Sequence, residues 1–235
     1  MSESALGDVH DAETYRVLDE AWNSWGTVDR DMVGNLINPA FIDGPSWPAL
    51  RQALTVARRA DGLLVASSGL ADPMAWNGAA PTNGYEVEVY ALSGDLPADS
   101  DTVATAMSWL GQTVMTVANL VAQYGFAVPD AIAQDGLITI ELADARIPET
   151  VAGTYLDDNN TMIAMAGLTD PEVPALVAGP LSEIRLVNVK LLTVAEGRFC
   201  VHNSMGESDA CRELAQRFAA QGRTLWSSLD RPSVV

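Results

Sequence analysis

Apolar residues recur at helical spacing in four stretches of this chain, and in alternating or short unbroken runs in five others. Val9, Ala12, Tyr15, Leu18, Trp22 and Trp25 share one helical face across 8–26, with Gly26 as the stop. Ser46 can cap a second helix whose Leu50, Leu54 and Ala57 share a face up to Asp61 and Gly62. Two strands follow, GLLVASSG at 62–69 and GYEVEVYAL at 84–92, the latter alternating Glu86 and Glu88 with Tyr85, Val87 and Val89 as a half-exposed strand does. The segment between them holds Pro73, Pro81 and several turn formers and reads as a surface loop. Asp99, Ser100 and Asp101 then offer caps to a long helix, ended by Gly125, in which Val103, Met107, Leu110, Val114, Val117, Val121 and Tyr124 recur every three or four residues. Strands at 136–142, 161–168 and 183–194 and a closing helix at 209–222, with Leu214 and Phe218 inward, complete the pattern.

This order fits an α+β fold better than a regular βαβ winding. It predicts a mixed, mainly antiparallel sheet covered by the long helix, with an N-terminal helical extension. The composition shifts divide the chain into an extension at 1–45, a main domain at 46–222 and an extended tail at 223–235. At 235 residues and 48% apolar content the chain can bury roughly 70 to 75% of its surface.

Charge changes the picture more than size does. Thirteen Lys and Arg face 31 Asp and Glu, a formal charge of −18, which repels nucleic acid and anionic membrane and favours basic partners. Cys200 and Cys211 fit neither a CxxC motif nor a secreted framework and read as reduced core thiols. No apolar run approaches the ~20 residues of a membrane span, and the polar, acidic N-terminus is unlike a signal peptide. A cytoplasmic chain is expected.

Catalytic and cofactor chemistry finds few side chains to use. Lys190, mid-strand, is the only lysine, so a phosphate-binding loop of the Walker type is excluded, and no glycine fingerprint joins a strand to a helix. The two histidines are His10 and His202; Ser67 and Ser68 precede Gly69 without a nucleophile elbow. Cys200, His202 and Cys211 match no common zinc spacing, and no cofactor is implied. Asp157, Asp158, Asn159 and Asn160 make an oxygen-rich turn, but they lack the alternating acids and terminal Glu of a calcium loop and read as a hairpin turn. Of the six tryptophans, Trp22 and Trp109 belong in the core. Trp76 sits in the Pro, Gly and Asn loop, where it either folds back on the sheet or anchors a partner.

The run LLVASSGLADP, the turn-rich loop and NGYEVEVYAL together resemble the opening of the Suppressor of Fused-like domain. Its elements are Gly69, Leu70, Ala71 (serine in that family's signature) and Asp72, then Gly84, Tyr85, Glu86 and Glu88. The likeness continues through the 101–124 helix, Asp135 and Gly136, and LLTVAEGRFCVHNSMG, with Glu196 and Gly206 in the places of the late strand's acid and glycine. It runs over 46–222. The resemblance implies a mixed α/β domain that binds and sequesters proteins without enzymatic activity. Bacterial relatives look like immunity proteins, so a basic toxin domain is the partner it suggests. Asp72, Trp76, Asp157 and Asp158 are the expected partner-binding residues. A hydrolase using paired carboxylates and a self-assembling structural protomer remain alternatives.

Overall fold

The computed structural model describes residues 3–35, 37–143, 146–203 and 209–235. Helix α1 (Glu3–Trp25) leads into the short strands β1 (Thr27–Val28) and β2 (Val33–Gly34). The hairpin β3 (Ala53–Arg59) and β4 (Gly62–Ser68) follows, then the small pair β5 (Pro73–Met74) and β6 (Thr82–Asn83), and β7 (Val87–Ser93). Helices α2 (Thr102–Met107), α3 (Trp109–Tyr124) and α4 (Ala127–Asp135) precede β8 (Ile138–Ala143) and a single-turn α5 (Ala152–Tyr155). Strands β9 (Thr161–Leu168), β10 (Leu176–Ala178) and β11 (Glu183–Leu192) and helices α6 (Val194–Asn203) and α7 (Ala210–Ala220) close the order. The main sheet runs β1-β3-β4-β7-β11-β9-β8, with β2 also on β3 and β10 also on β11. Among the described strands β7 and β11 pair in parallel, Val87 opposite Arg185 and Tyr90 opposite Asn188, and the other strand pairings are antiparallel; Leu92 also bridges Trp226 in parallel.

Both faces of the sheet are covered. Val56, Val65, Val89, Ala164 and Val189 point to one side, against Leu110, Val114, Val117 and Val121 of α3. Their strand neighbours Ala57, Leu64, Tyr90, Met165 and Leu192 point to the other, against Leu18, Trp22 and Trp25 of α1 and Leu214 and Phe218 of α7. Among the described residues no helix is long and apolar enough to cross a membrane.

Two-faced burial explains where the sequence reading fails. The helix expected from Ser46 up to Asp61 and Gly62 is instead loop followed by β3 and the turn into β4. Residues 53–57 are all buried, Leu54 and Val56 toward one core and Ala57 toward the other, so the alternation of a strand is hidden. The long helix is broken at Ser108, whose extended backbone ends α2 and whose hydroxyl accepts the Gly111 amide to cap α3. Gly111 is required there, because a Cβ would meet the Ala106 carbonyl oxygen at 2.2 Å. The strand expected to run to 194 stops at Leu192, and α6 begins with a capping box: Glu196 accepts the Thr193 amide at 2.9 Å while Thr193 accepts the Glu196 amide at 3.3 Å. Helix α4 has no counterpart in the expected pattern.

The chain after α7 returns to the sheet and buries Leu225, Trp226, Ser227 and Leu229. The Ser227 amide bonds to the Leu92 carbonyl at 2.8 Å and its hydroxyl accepts the Leu191 amide at 3.0 Å; Tyr155 donates to the Ser228 carbonyl at 2.6 Å. Arg231 grips fully buried Glu196 through two nitrogens at 2.5 and 2.6 Å and also bonds to the Leu191 carbonyl. Burial pushes the Glu196 carboxyl up, but Arg231 and the Thr193 and Val234 amides more than offset this and hold it below its ordinary value. Lys190 donates to the carbonyls of Arg223 (3.0 Å) and Trp226, and its ammonium lies 4.5 Å from the centre of the Phe218 ring. Burial, helped by Arg231 and Arg223, lowers the Lys190 pKa to about 7.

Two predictions follow from this tail. Arg231→Ala leaves the Glu196 carboxylate buried without its counter-charge and lowers unfolding stability by about 3 kcal/mol or more in urea titration; a loss under about 1 kcal/mol would count against the pair. Lys190 releases its proton near pH 7 when folded and near pH 10 when unfolded, so the unfolded chain binds more protons between those values. Stability that Lys190 costs at low pH is therefore regained as pH rises. From about pH 7 to pH 9, below tyrosine titration, the wild-type urea midpoint climbs relative to Lys190→Met; parallel curves would contradict the buried amine.

Candidate functional site

At the end of the sheet where β3 and β7 begin and β4 finishes, a set of loops is tied together by one carboxylate. Glu88 in β7 is fully buried; its Oε1 accepts the Gly69 and Ala71 amides at 2.9 and 3.0 Å, and its Oε2 accepts the Ser67 hydroxyl. Burial pushes its pKa up, against the pull of these donors. The Ser67 hydroxyl in turn accepts the Val89 amide at 2.9 Å. The turn that brings amides 69 and 71 to this carboxylate depends on glycines. Gly69 has φ +133° and Gly84 φ +49°, and a Cβ on either would sit 2.2 or 2.1 Å from the backbone oxygen of Arg51 or Leu70.

Asn83 extends the network outward. Fully buried, it donates to the Thr14 hydroxyl of α1 at 2.7 Å and to the Ala71 carbonyl at 3.2 Å, while its oxygen accepts the Leu181 and Ser182 amides at 3.0 and 3.1 Å. Asp72 faces inward and is paired by two nitrogens of Arg51, whose guanidinium lies 3.7 Å from the centre of the Tyr15 ring. Burial raises the Asp72 pKa in spite of that pairing. Trp76 folds back: its Nε1 donates to the Thr82 hydroxyl at 2.7 Å, and its rings lie 5.4 Å from both Tyr85 and Phe126. It is half-buried rather than enclosed.

Beside this network lies the segment that precedes β3. Trp47 is buried and donates to the Asn119 side chain of α3 at 3.0 Å; Gln52 donates to the Pro45 carbonyl at 2.7 Å. Asn38 closes the loop, donating to the Leu50 carbonyl and accepting the Ala40 amide at 2.9 Å to cap a 3-10 turn over Pro39–Ile42. With its base held, the loop turns its apolar side chains outward: Phe41 is 71% exposed, Ile42 67%, Leu50 65% and Ile37 61%. Tyr124, at the end of α3, is exposed at the same end, and Asp43 and Asp130 supply exposed carboxylates. A cleft of about 620 Å³ runs between residues 43–46 and Thr116, Asn119, Leu120 and Gln123 of α3. An exposed apolar group held on a fixed backbone is what a macromolecular contact uses, since it loses little entropy on binding.

The other expected site residues lie elsewhere. Asp157 accepts the Asn159 and Thr161 amides at 2.9 Å each, in a turn that closes the Leu156 and Met162 bridge and has Asn160 at φ +58°. The turn joins α5 to β9 across that single bridge, where the sequence reading had a hairpin between two strands. Asp158 is fully exposed, 3.9 Å from Arg198. The turn enters β9 opposite the far end of β11, so Asp157 and Asp158 sit at the other end of the sheet from Asp72 and Trp76. Among the described residues no three His, Cys, Asp or Glu side chains cluster as a metal would need. The His202 side chain lies outside the described residues. The sequence reading passed over Ile37, Phe41 and Ile42, and set Leu50 on the shared face of a helix that does not form. The available signal was an apolar PAFI run after Asn38, in a stretch with no strand or helix period to bury it.

The buried carboxylate gives a direct test of this scaffold. Glu88→Ala strands two amides and a hydroxyl in the core and lowers stability by about 3 kcal/mol, whereas Glu88→Gln keeps an acceptor and loses less. An alanine variant within about 0.5 kcal/mol of wild type in denaturant unfolding would refute the tie.

No family model matches the chain, and no curated protein matches it. Solved structures do. The crystal structure of Drosophila Suppressor of Fused superposes with a TM-score of 0.54 at 13% identity, over 95% of this chain and 50% of that one. A Sufu-Fu complex crystal structure gives a TM-score of 0.51 at 14% identity, over 98% of this chain and 91% of that one. The chain thus spans about half the length of the Drosophila protein. Shared architecture at such low identity matches the sequence resemblance carried by Gly69, Asp72, Gly84 and Glu88: this chain has a Suppressor of Fused-like fold.

Proposed function

We propose that this chain is a non-enzymatic protein-binding domain that sequesters a protein partner, as an inhibitor or immunity factor does. The observation that carries the reading is the Ile37, Phe41, Ile42 and Leu50 surface, exposed on a loop anchored by Trp47 and Asn38 and rimmed by carboxylates. Half-buried Trp76 lies at the same end and joins the contact; Asp72 serves it from within by holding Arg51 and the 69–72 turn. Asp157 and Asp158 form a separate acidic corner that takes part only with a partner long enough to reach it. A formal charge of −18 steers association toward a basic surface, such as the substrate cleft of a nuclease-type toxin. The similar structure of a Sufu-Fu complex makes a protein the first class of partner to test.

The partner is sought by expressing the tagged chain with the products of neighbouring genes and weighing the complex. The expected result is a stoichiometric assembly whose affinity falls with added salt. Phe41→Glu with Ile42→Glu weakens it about 100-fold while leaving the thermal midpoint of the free chain unchanged, because both side chains are exposed. Undiminished affinity in that double variant would remove this surface from the reading.

A further inference from the structure

Where α1 lies over β3 and β4, the sheet is floored by small side chains. Ala53 pairs with Ser68 and Thr55 with Ala66, all four on the face opposite Leu54 and Val56. Leu18 and Trp22 of α1 stand over this shallow floor, and a groove of about 420 Å³ remains between them, Val28 and the half-exposed side chains of Tyr15 and Met32 at its mouth. None of its lining belongs to α3 or to the 37–50 loop. Two hydroxyls meet the groove from the floor. Thr55 is only 7% exposed, yet its hydroxyl has no hydrogen-bond partner among the described residues. Ser68, equally buried, donates to the Met32 Sδ at 3.4 Å, and a thioether is a weak acceptor. A hydroxyl taken so far out of water and left unbonded costs free energy that a group lodged in the groove recovers.

We propose that this groove is a binding site for a small, uncharged aromatic molecule that carries a hydroxyl or carbonyl group. Its volume suits a body of roughly ten to fifteen non-hydrogen atoms, the size of a fused pair of rings. The walls favour a flat ring, because the Trp22 indole, the Tyr15 phenol and the polarizable Met32 thioether all pack well against one. The floor fixes its orientation through a hydrogen bond with Thr55 and a second with Ser68 once the Met32 sulfur gives way. Met32, unbranched and half-exposed, is the side chain that moves aside as the ring enters. The rim selects against charge. Arg16 and Arg30 stand with Asp19 and Asp29, two of each sign. Three of the four are already engaged, Arg16 by Glu13 and Glu20, Asp29 by Arg58 and Thr102, and Asp19 by Asn23. A cation therefore finds no free carboxylate pair, and an anion approaches against the formal charge of −18.

The test titrates the full chain at neutral pH with 2-naphthol and, separately, with 2-naphthoate, following backbone amide shifts by NMR and heat by calorimetry. Expected are one saturable site for 2-naphthol with a Kd of about 100 μM or tighter, and binding of 2-naphthoate weaker by about tenfold or more. The amide shifts concentrate in α1, in the 28–32 segment and around Thr55 and Ser68. Thr55→Val removes the unpartnered hydroxyl: it weakens 2-naphthol binding about tenfold while the thermal midpoint of the free chain stays the same or rises, because no internal hydrogen bond is lost. Ala12→Trp, at an exposed position of α1, fills the mouth and abolishes binding. No saturation below about 1 mM 2-naphthol, shifts centred outside the groove, equal affinity for 2-naphthoate, or undiminished binding by either variant would each overturn the proposal. The wild-type titrations and Ala12→Trp decide if Thr55→Val does not fold.

Discussion

A carboxylate out of reach of water has to be surrounded by donors, and in this protein that requirement falls on Glu88. Its oxygens take the Gly69 and Ala71 amides and the Ser67 hydroxyl, which forces the chain leaving β4 into one turn. That turn needs Gly69, leans on Gly84 and delivers Asp72 to Arg51 and Ala71 to Asn83. From there the ties reach Thr14 on α1 and the 181–182 backbone. The end of the sheet that carries the exposed Phe41 and Ile42 is thus fixed from its interior outward.

The same economy explains how an acidic chain folds. Arg51, Arg58, Arg59 and Arg231 are drawn into pairs with Asp72, Asp29, Asp61, Glu172 and Glu196, and Lys190 is buried against backbone carbonyls. Each of these pairs removes one acid along with its cation, so the excess of acidic over basic side chains stays with the rest of the chain. The pairs are neutral, so the negative potential that would steer a basic partner comes from the excess of carboxylates in the composition. Exposed pairs such as Arg16 with Glu13 and Glu20 add little to either.

Much of the scaffold was legible from the chain alone. Helix α1, strands β4, β7, β8 and β9, most of β11, helix α7 and the 157–160 turn all announce themselves by period, caps and turn residues. The α3 region does too, and the Gly69 to Glu88 motif was visible as a family likeness. Strand β3 was not, because a strand buried on both faces loses its alternation and Leu54 and Ala57 then mimic a helical face. Helix α6 was hidden behind the apolar run of β11, although the Thr193 and Glu196 capping box marks its start.

Local order along the chain, then, determined the element types, the α+β class and the scarcity of reactive side chains, since periodicity and capping act within a few residues. Tertiary structure alone decided that Asp72 is spent on Arg51, that Trp76 packs on Tyr85 and Phe126, and that Leu225, Trp226, Ser227 and Leu229 are buried. It alone decided that Ile37, Phe41, Ile42 and Leu50 stand exposed on the loop before β3. Each of these depends on contacts between residues far apart in the chain or on separate helices, and no local pattern records where a distant partner will stand.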